Sequence, residues 1–238
     1  MTQQWSILGW LVPVALMLLV ITSNTRFVAN SLPVYDALFE RNNVVARTAI
    51  TPDGLHDVGA QIQRYFGSDE EPLRVIAVVN GVTRSLFGED EASHMADVKQ
   101  LFLKTYRVQA AAALFLLIVA AAAVLTFRRA SLGVFATWAK RGGLVTAGTI
   151  AVVGLATLVA FDQVFLLFHY IGFPQGNFLF DTRTDFLVRV FPFGFWYDVT
   201  MLIGILTLFD AGVLVAAGFA VPRLTGRRHR AIADGVRT

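Results

Sequence analysis

The sequence predicts an all-α membrane protein with four transmembrane helices and a small extracytoplasmic α+β segment between the first two. Three observations carry this. Four apolar runs, roughly 7–22, 108–127, 144–168 and 199–221, approach or exceed the ~20 helical residues that cross a hydrocarbon core. None of the four alternates with a period of two, and an open sheet cannot cross lipid, so the runs are helices. The composition agrees: 55% of the residues are hydrophobic, 16% are charged, and the mean hydropathy is +0.60, too apolar for an ordinary soluble domain. The net charge of +3 gives no basis for a nucleic-acid partner.

The first span, within residues 1–22, has Trp5 and Trp10 as interfacial anchors. Its start, MTQQWS, carries no Lys or Arg, which favours a retained anchor over a cleaved leader. The loop 128–143 after the second span has four basic residues and no acid, and the tail 222–238 has five Arg and one Asp. Both belong on the cytoplasmic side, which puts the N-terminus inside and segments 23–107 and 169–198 outside. Segment 23–107 holds nine basic and eleven acidic residues, a balance that permits translocation.

Local signals divide segment 23–107. TPDGLHDVGAQIQRYF (51–66) reads as a helix with Thr51 as N-cap, Pro52 in the first turn, and Leu55, Val58, Ile62 and Tyr65 on one face. RVIAVVNGVTRSLF (74–87) reads as a hairpin turning at Asn80-Gly81. Such a hairpin is marginal alone and needs the membrane or neighbouring helices to pack on. GEDEASHMADVK (88–99) reads as an acidic helix start, because carboxylates oppose the positive end of the helix dipole. Segment 169–198 is Phe-rich with Asp181, Arg183, Asp185 and Arg189 interspersed, which suits a short amphipathic helix at the membrane interface.

The absence of cysteine excludes disulfides, thiolate catalysis and Cys-ligated metals. No phosphate loop, GxSxG elbow or HExxH motif is present, so no cofactor or metal is expected. His56 falls on a polar helix face and His229 in the basic tail. His94 differs, with Glu91 at i−3 and Asp97 at i+3 on the same helix face. A carboxylate on one imidazole nitrogen raises the basicity of the other, as a general base requires; the competing reading is a solvated acidic face. His169 closes the third span, with Asp162 two turns earlier and ~10 Å away. Asp162, Asp198 and Asp210 are ionisable groups in or beside spans, which makes each a candidate.

Four stretches then resemble a known family. FGEDEASHMADVKQLF (87–102), FDQVFLLFHYIGF (161–173), RTDFLVRVFP (183–192) and RFVANSLPVYDALFERNNV (26–44) are similar to the blocks of the bacterial lipoprotein intramolecular transacylases, a family of four-span membrane proteins. The resemblance implies transfer of the sn-2 acyl chain of a diacylglyceryl lipoprotein to the α-amine of its N-terminal Cys. The product is the lyso form. It also implies that His94 and His169 are catalytic, with Glu91, Asp97 and Asp162 at recurrent supporting positions. The site would lie on the extracytoplasmic side of the bacterial cytoplasmic membrane, with the lipoprotein and membrane lipid as partners. Two departures fall in the Phe-rich segment: NFLFDT (177–182) lacks an expected Trp, and Phe193 stands where the family tends to carry Glu.

From the residues alone, two other classes stay open: a non-enzymatic envelope protein docking through its acidic helix, and a metal-dependent lipid hydrolase using His94, His169 and Asp97. One geometric demand is clear. His94 precedes the apolar run of the second span by fourteen residues, ~21 Å of straight helix, yet a shared site requires it beside His169.

Overall fold

A computed structural model describes residues 3–235, with side chains described from 8 to 221. Trp5 and His229 therefore lie outside the described side chains. The element order is α1 (Gln3–Ala29), α2 (Leu32–Arg41), α3 (Val44–Thr48), α4 (Pro52–Phe66), β1 (Ile76–Val79), β2 (Val82–Ser85), α5 (Glu89–Phe127), a 3-10 turn (Arg128–Ala130), α6 (Ser131–Gly172), α7 (Leu187–Val190) and α8 (Phe193–Gly235). The chain is mostly helical with one small sheet. Among the described residues, three stretches are long and apolar enough to cross a membrane: Leu8–Ala29, Glu89–Gly172 and Phe193–Val221. The middle one, at 84 residues, holds both α5 and α6 and is several times longer than one crossing requires.

The chain divides into two compact units, Met1–Asn24, Arg107–Leu155 and Gly204–Thr238 in one, Thr25–Tyr106 and Ala156–Ile203 in the other. In the first unit, Val12, Val119, Ala123 and Trp138 form a buried cluster. α6 and α8 approach closely at two glycines. A Cβ added at Gly143 would lie 2.6 Å from the Ala211 carbonyl oxygen, and one at Gly218 would lie 2.7 Å from that of Ala136. Small residues permit such contacts between membrane helices. Asp210 accepts a hydrogen bond from Asn24 Nδ2 at 2.9 Å, a packing role within this unit. Leu117, Ile118, Leu125 and Phe209 stay exposed, as lipid-facing side chains would.

The second unit has its own core. α4 forms as its sequence predicts: Thr51 Oγ1 accepts from Gly54 N at 3.2 Å, and Leu55, Val58, Ile62 and Tyr65 are buried. The hairpin pairs Val79 with Val82 across Asn80 and Gly81, whose φ values of 50° and 80° match a turn that needs both positive. The hairpin packs on α4, where Gln61 bonds both the N–H and the carbonyl of Ile76 at 3.0 Å. Ala77, Val79, Leu86 and Phe87 join the buried cluster.

Two segments differ from the sequence reading. The expected loop 128–143 is helical from Ser131 onward; a single 3-10 turn, with Arg128 at φ 48°, reverses the chain. Charge sorted these residues to one side of a membrane, but charge does not break a helix. The Phe-rich segment 169–198 includes the end of α6, the short α7 and the start of α8, and its Phe186, Leu187, Val190, Phe191 and Phe195 are buried among Tyr35 and Phe39 of α2. Composition suited either lipid or a protein interior, and the aromatic partners on α2 decided for the interior.

Candidate active site

α5 starts where the sequence places it. Glu89, Asp90 and Glu91 fill the first turn, and Glu91 Oε2 accepts the Gly88 N–H at 2.7 Å, reaching back across the helix start as a capping residue does. Glu91 is buried, and its Oε1 accepts the Leu187 N–H at 2.6 Å. Both carboxylate oxygens thus hold backbone, one of them the entry to α7. The sequence reading aimed this carboxylate at His94, and its hydrogen bonds go elsewhere. Glu91 is i−3 from His94, but the orphan N–H groups at two helix starts are better matched to it.

His94 follows one turn later and is buried. α6 carries His169 in its last turn, beyond a break in helical geometry at Ala160 (φ −144°, ψ 49°). The two imidazoles lie nearly parallel, 15° between planes, with centroids 6.1 Å apart. The fourteen residues between His94 and the apolar run are helical, since α5 is continuous from Glu89 to Phe127.

Aromatic rings enclose the pair. Phe173 touches both, at 4.6 Å from His94 and 5.4 Å from His169 between centroids. Phe180 closes on His94, and Phe165 and Phe178 on His169. His169 Nδ1 bonds the Phe165 carbonyl at 2.8 Å. A carbonyl only accepts, so this nitrogen carries the proton and Nε2 is left for chemistry. His169 lies in the last turn of α6. His94 lies in the polar start of α5, ahead of its apolar run. Burial first, and the adjacent His169 second, push its pKa down from 6.5 to about 4, against the opposing pull of Asp97 and Asn177. His94 is therefore a neutral imidazole at physiological pH.

Asp97 does not bond His94. Its Oδ2 accepts from Gln175 Nε2 at 2.6 Å and Asn177 Nδ2 at 2.7 Å, tying the loop after α6 to α5. Asp162 is exposed on α6. His56 pairs with Asp36 on the surface at 2.9 Å. Asp198 takes Arg41 Nε and Asn42 Nδ2 at 2.9 and 3.0 Å. Among the described residues no three His, Asp or Glu side chains converge as a metal ligand set. Sequence reasoning missed Phe173, Gln175, Asn177, Phe178 and Phe180, which line or brace the pair. Nothing local marks them, since their roles arise when the loop folds back on α5. Beside them lies a cleft of about 380 Å³, lined by Glu89, Ser93, Asn177, Phe180 and Asp185 among others.

The apolar helices are those of a membrane protein, and an imidazole pair lies enclosed beside them. The comparisons with known proteins give the family. A model of the family "Lipoprotein intramolecular transacylase Lit" matches residues 10–196, so the chain belongs to this family of acyltransferases. An uncharacterized protein of Aquifex aeolicus (strain VF5) is 30% identical over 145 residues, 61% of this chain and 61% of that relative's length. The fold resembles the in meso structure of the membrane integral lipoprotein intramolecular transacylase Lit from Bacillus cereus. The TM-score is 0.75 at 16% identity, over 95% of this chain and 97% of that one. A variant of that protein with a histidine replaced by arginine matches at TM-score 0.74 and 15% identity, over 94% of each chain.

Proposed function

We propose that the protein is itself an intramolecular transacylase: it moves the sn-2 acyl chain of a diacylglyceryl-modified lipoprotein onto the α-amine of that lipoprotein's N-terminal Cys. The observation that carries this reading is the 6.1 Å approach of His94 and His169, brought from two family-like blocks seventy-five residues apart into one aromatic enclosure. The chain crosses the cytoplasmic membrane four times with its N-terminus inside, and the pair works at the outer interface.

The chemistry asks for little beyond proton management. A C–N bond forms between amine and acyl carbon, the ester C–O bond breaks, and one proton passes from nitrogen to the glycerol oxygen. Ester and amine share one molecule, so attack gains from an effective concentration that reaches on the order of 10⁵ M or more in well-oriented cases. His94, neutral at working pH, accepts the amine proton. His169 gives a proton to the leaving oxygen. A proton then passes from His94 to His169 and resets the pair, which explains their closeness. Each positioned acid or base contributes typically about 10²–10⁴-fold. The surrounding phenylalanines exclude water and offer an apolar bed to the acyl chain.

The test is mass spectrometry of a lipoprotein N-terminus from cells carrying the protein as His94→Ala or His169→Ala. The expected result is unconverted diacylglyceryl lipoprotein. Continued production of the lyso form by either variant overturns the assignment.

A further inference from the structure

Two buried polar atoms near the pair end on nothing. His94 Nδ1 and Asn177 Oδ1 are each shielded from solvent, and no hydrogen bond of ordinary geometry reaches either. Such atoms are rare in native proteins and call for an explanation. They are also neighbours, since the Asn177 amide favours a proton on the His94 ring.

Which face Asn177 shows to His94 is decided by a third residue. Asn177 Nδ2 donates to Asp97 Oδ2 at 2.7 Å. A carboxylate accepts and does not donate, so the NH₂ end of the amide must face Asp97, and the oxygen end is left for His94. Gln175 Nε2 bonds the same Asp97 oxygen at 2.6 Å and steadies it. Asp97 is one turn beyond His94 on α5, so helix geometry sets the distance between carboxylate and imidazole, and Asn177 bridges them from the opposite loop.

We propose that Asn177 is a positioning residue for the transacylation: clamped by Asp97, its Oδ1 accepts the Nδ1 proton of His94 and so leaves the His94 Nε2 lone pair as the reactive base. This rests on the reading of His94 as a proton acceptor. It deepens that reading by naming the atom that reacts and the residues that select it. The arrangement parallels His169, whose Nδ1 proton is held by the Phe165 carbonyl. Both rings then expose Nε2, and the proton that resets the pair travels between like nitrogens. It also gives Asp97 a purpose that does not require it to touch His94. An asparagine, unlike a carboxylate, orients the ring without adding a charge to the aromatic enclosure.

Two measurements on the full-length protein in detergent test this. The first is nitrogen NMR of ¹⁵N-imidazole-labelled protein near pH 7.5, with the His94 signals assigned by their loss in His94→Gln. The expected result is a neutral ring protonated at Nδ1, shifting towards Nε2 protonation in Asn177→Ala. A wild-type ring protonated at Nε2, or one unmoved by Asn177→Ala, overturns the proposal whether or not the enzyme is active. The second is conversion of a synthetic diacylglyceryl lipopeptide, followed by mass spectrometry. Asn177→Ala and Asp97→Asn should each lower kcat about tenfold or more, a share of what a positioned base supplies, with little change in KM. The exchanged double variant Asp97→Asn/Asn177→Asp restores donor facing acceptor and acceptor facing His94. It should recover most of the lost rate and move the acidic limb of the pH profile upward, because position 177 then carries a carboxylate. A double variant no better than either single change overturns the proposal. An Nδ1-protonated ring that responds to Asn177→Ala in a protein without transacylase activity would sink the functional reading and leave the positioning of His94 standing.

Discussion

Glu91 and Leu187 are ninety-six positions apart, and the Glu91 Oε1 accepts the Leu187 N–H at 2.6 Å while its other oxygen caps α5 at Gly88. One buried carboxylate thus joins the start of the His94 helix to the Phe-rich segment. Glu91→Ala leaves both N–H groups without this acceptor, at a cost of about 1–3 kcal/mol for each that stays buried and unmatched. The thermal midpoint of the purified protein should fall by several degrees. Glu91→Gln, which presents an NH₂ to at least one donor, should recover little of it. An unchanged midpoint in both variants contradicts the clasp.

Stability should depend on pH through His94. The histidine of the unfolded chain titrates near 6.5, and the folded ring is held down to about 4. Between these values the unfolded chain binds a proton that the folded one refuses. Stability therefore falls as pH drops through this window, and the loss levels off below it. His94→Phe removes the titration and keeps a ring in the enclosure. The difference in thermal midpoint between wild type and variant, measured from pH 7.5 to 4, should shift against the wild type as the solution is acidified. A difference independent of pH contradicts the burial of a neutral His94.

The close approach of α6 and α8 predicts a steep size limit. Gly143→Leu would drive a side chain into the Ala211 carbonyl and Val215, and overpacking of this kind costs about 1–3 kcal/mol. Gly133, with open space around it, is the control: Gly133→Ala should be neutral or better, as alanine is the stronger helix former. Equal tolerance at the two positions, read as yield of folded protein and thermal midpoint, would refute the contact.

Much of segment 23–107 was legible because its signals are local. Thr51-Pro52 and Asn80-Gly81 fix backbone geometry within a few residues, and the acidic turn at 89–91 marks a helix start by its charge. The two histidine blocks were legible through resemblance. What sequence did not yield depends on distant partners. Phe191 and Phe195 have the composition of interfacial residues, and distant partners such as Tyr35 and Phe39 make them core. Glu91 and Asp97 have the spacing to serve His94 directly, but backbone N–H groups and the amides of Gln175 and Asn177 compete for them and win. Asn177 carries no local mark, because its meaning is the face of an amide that Asp97 selects.

The central claim is acyl transfer within one molecule, driven by the His94–His169 pair. A crossover experiment tests it most directly. The purified protein is given an equimolar mixture of two diacylglyceryl lipopeptides, one with a deuterated sn-2 chain and a light peptide, the other with a light chain and a ¹³C-labelled peptide. Products are read by mass spectrometry for wild type, His94→Ala and His169→Ala. The account predicts lyso-form products in which each chain stays with its own peptide, and none from either variant. Scrambled labels, free fatty acid as the main product, or undiminished conversion by a variant would contradict it.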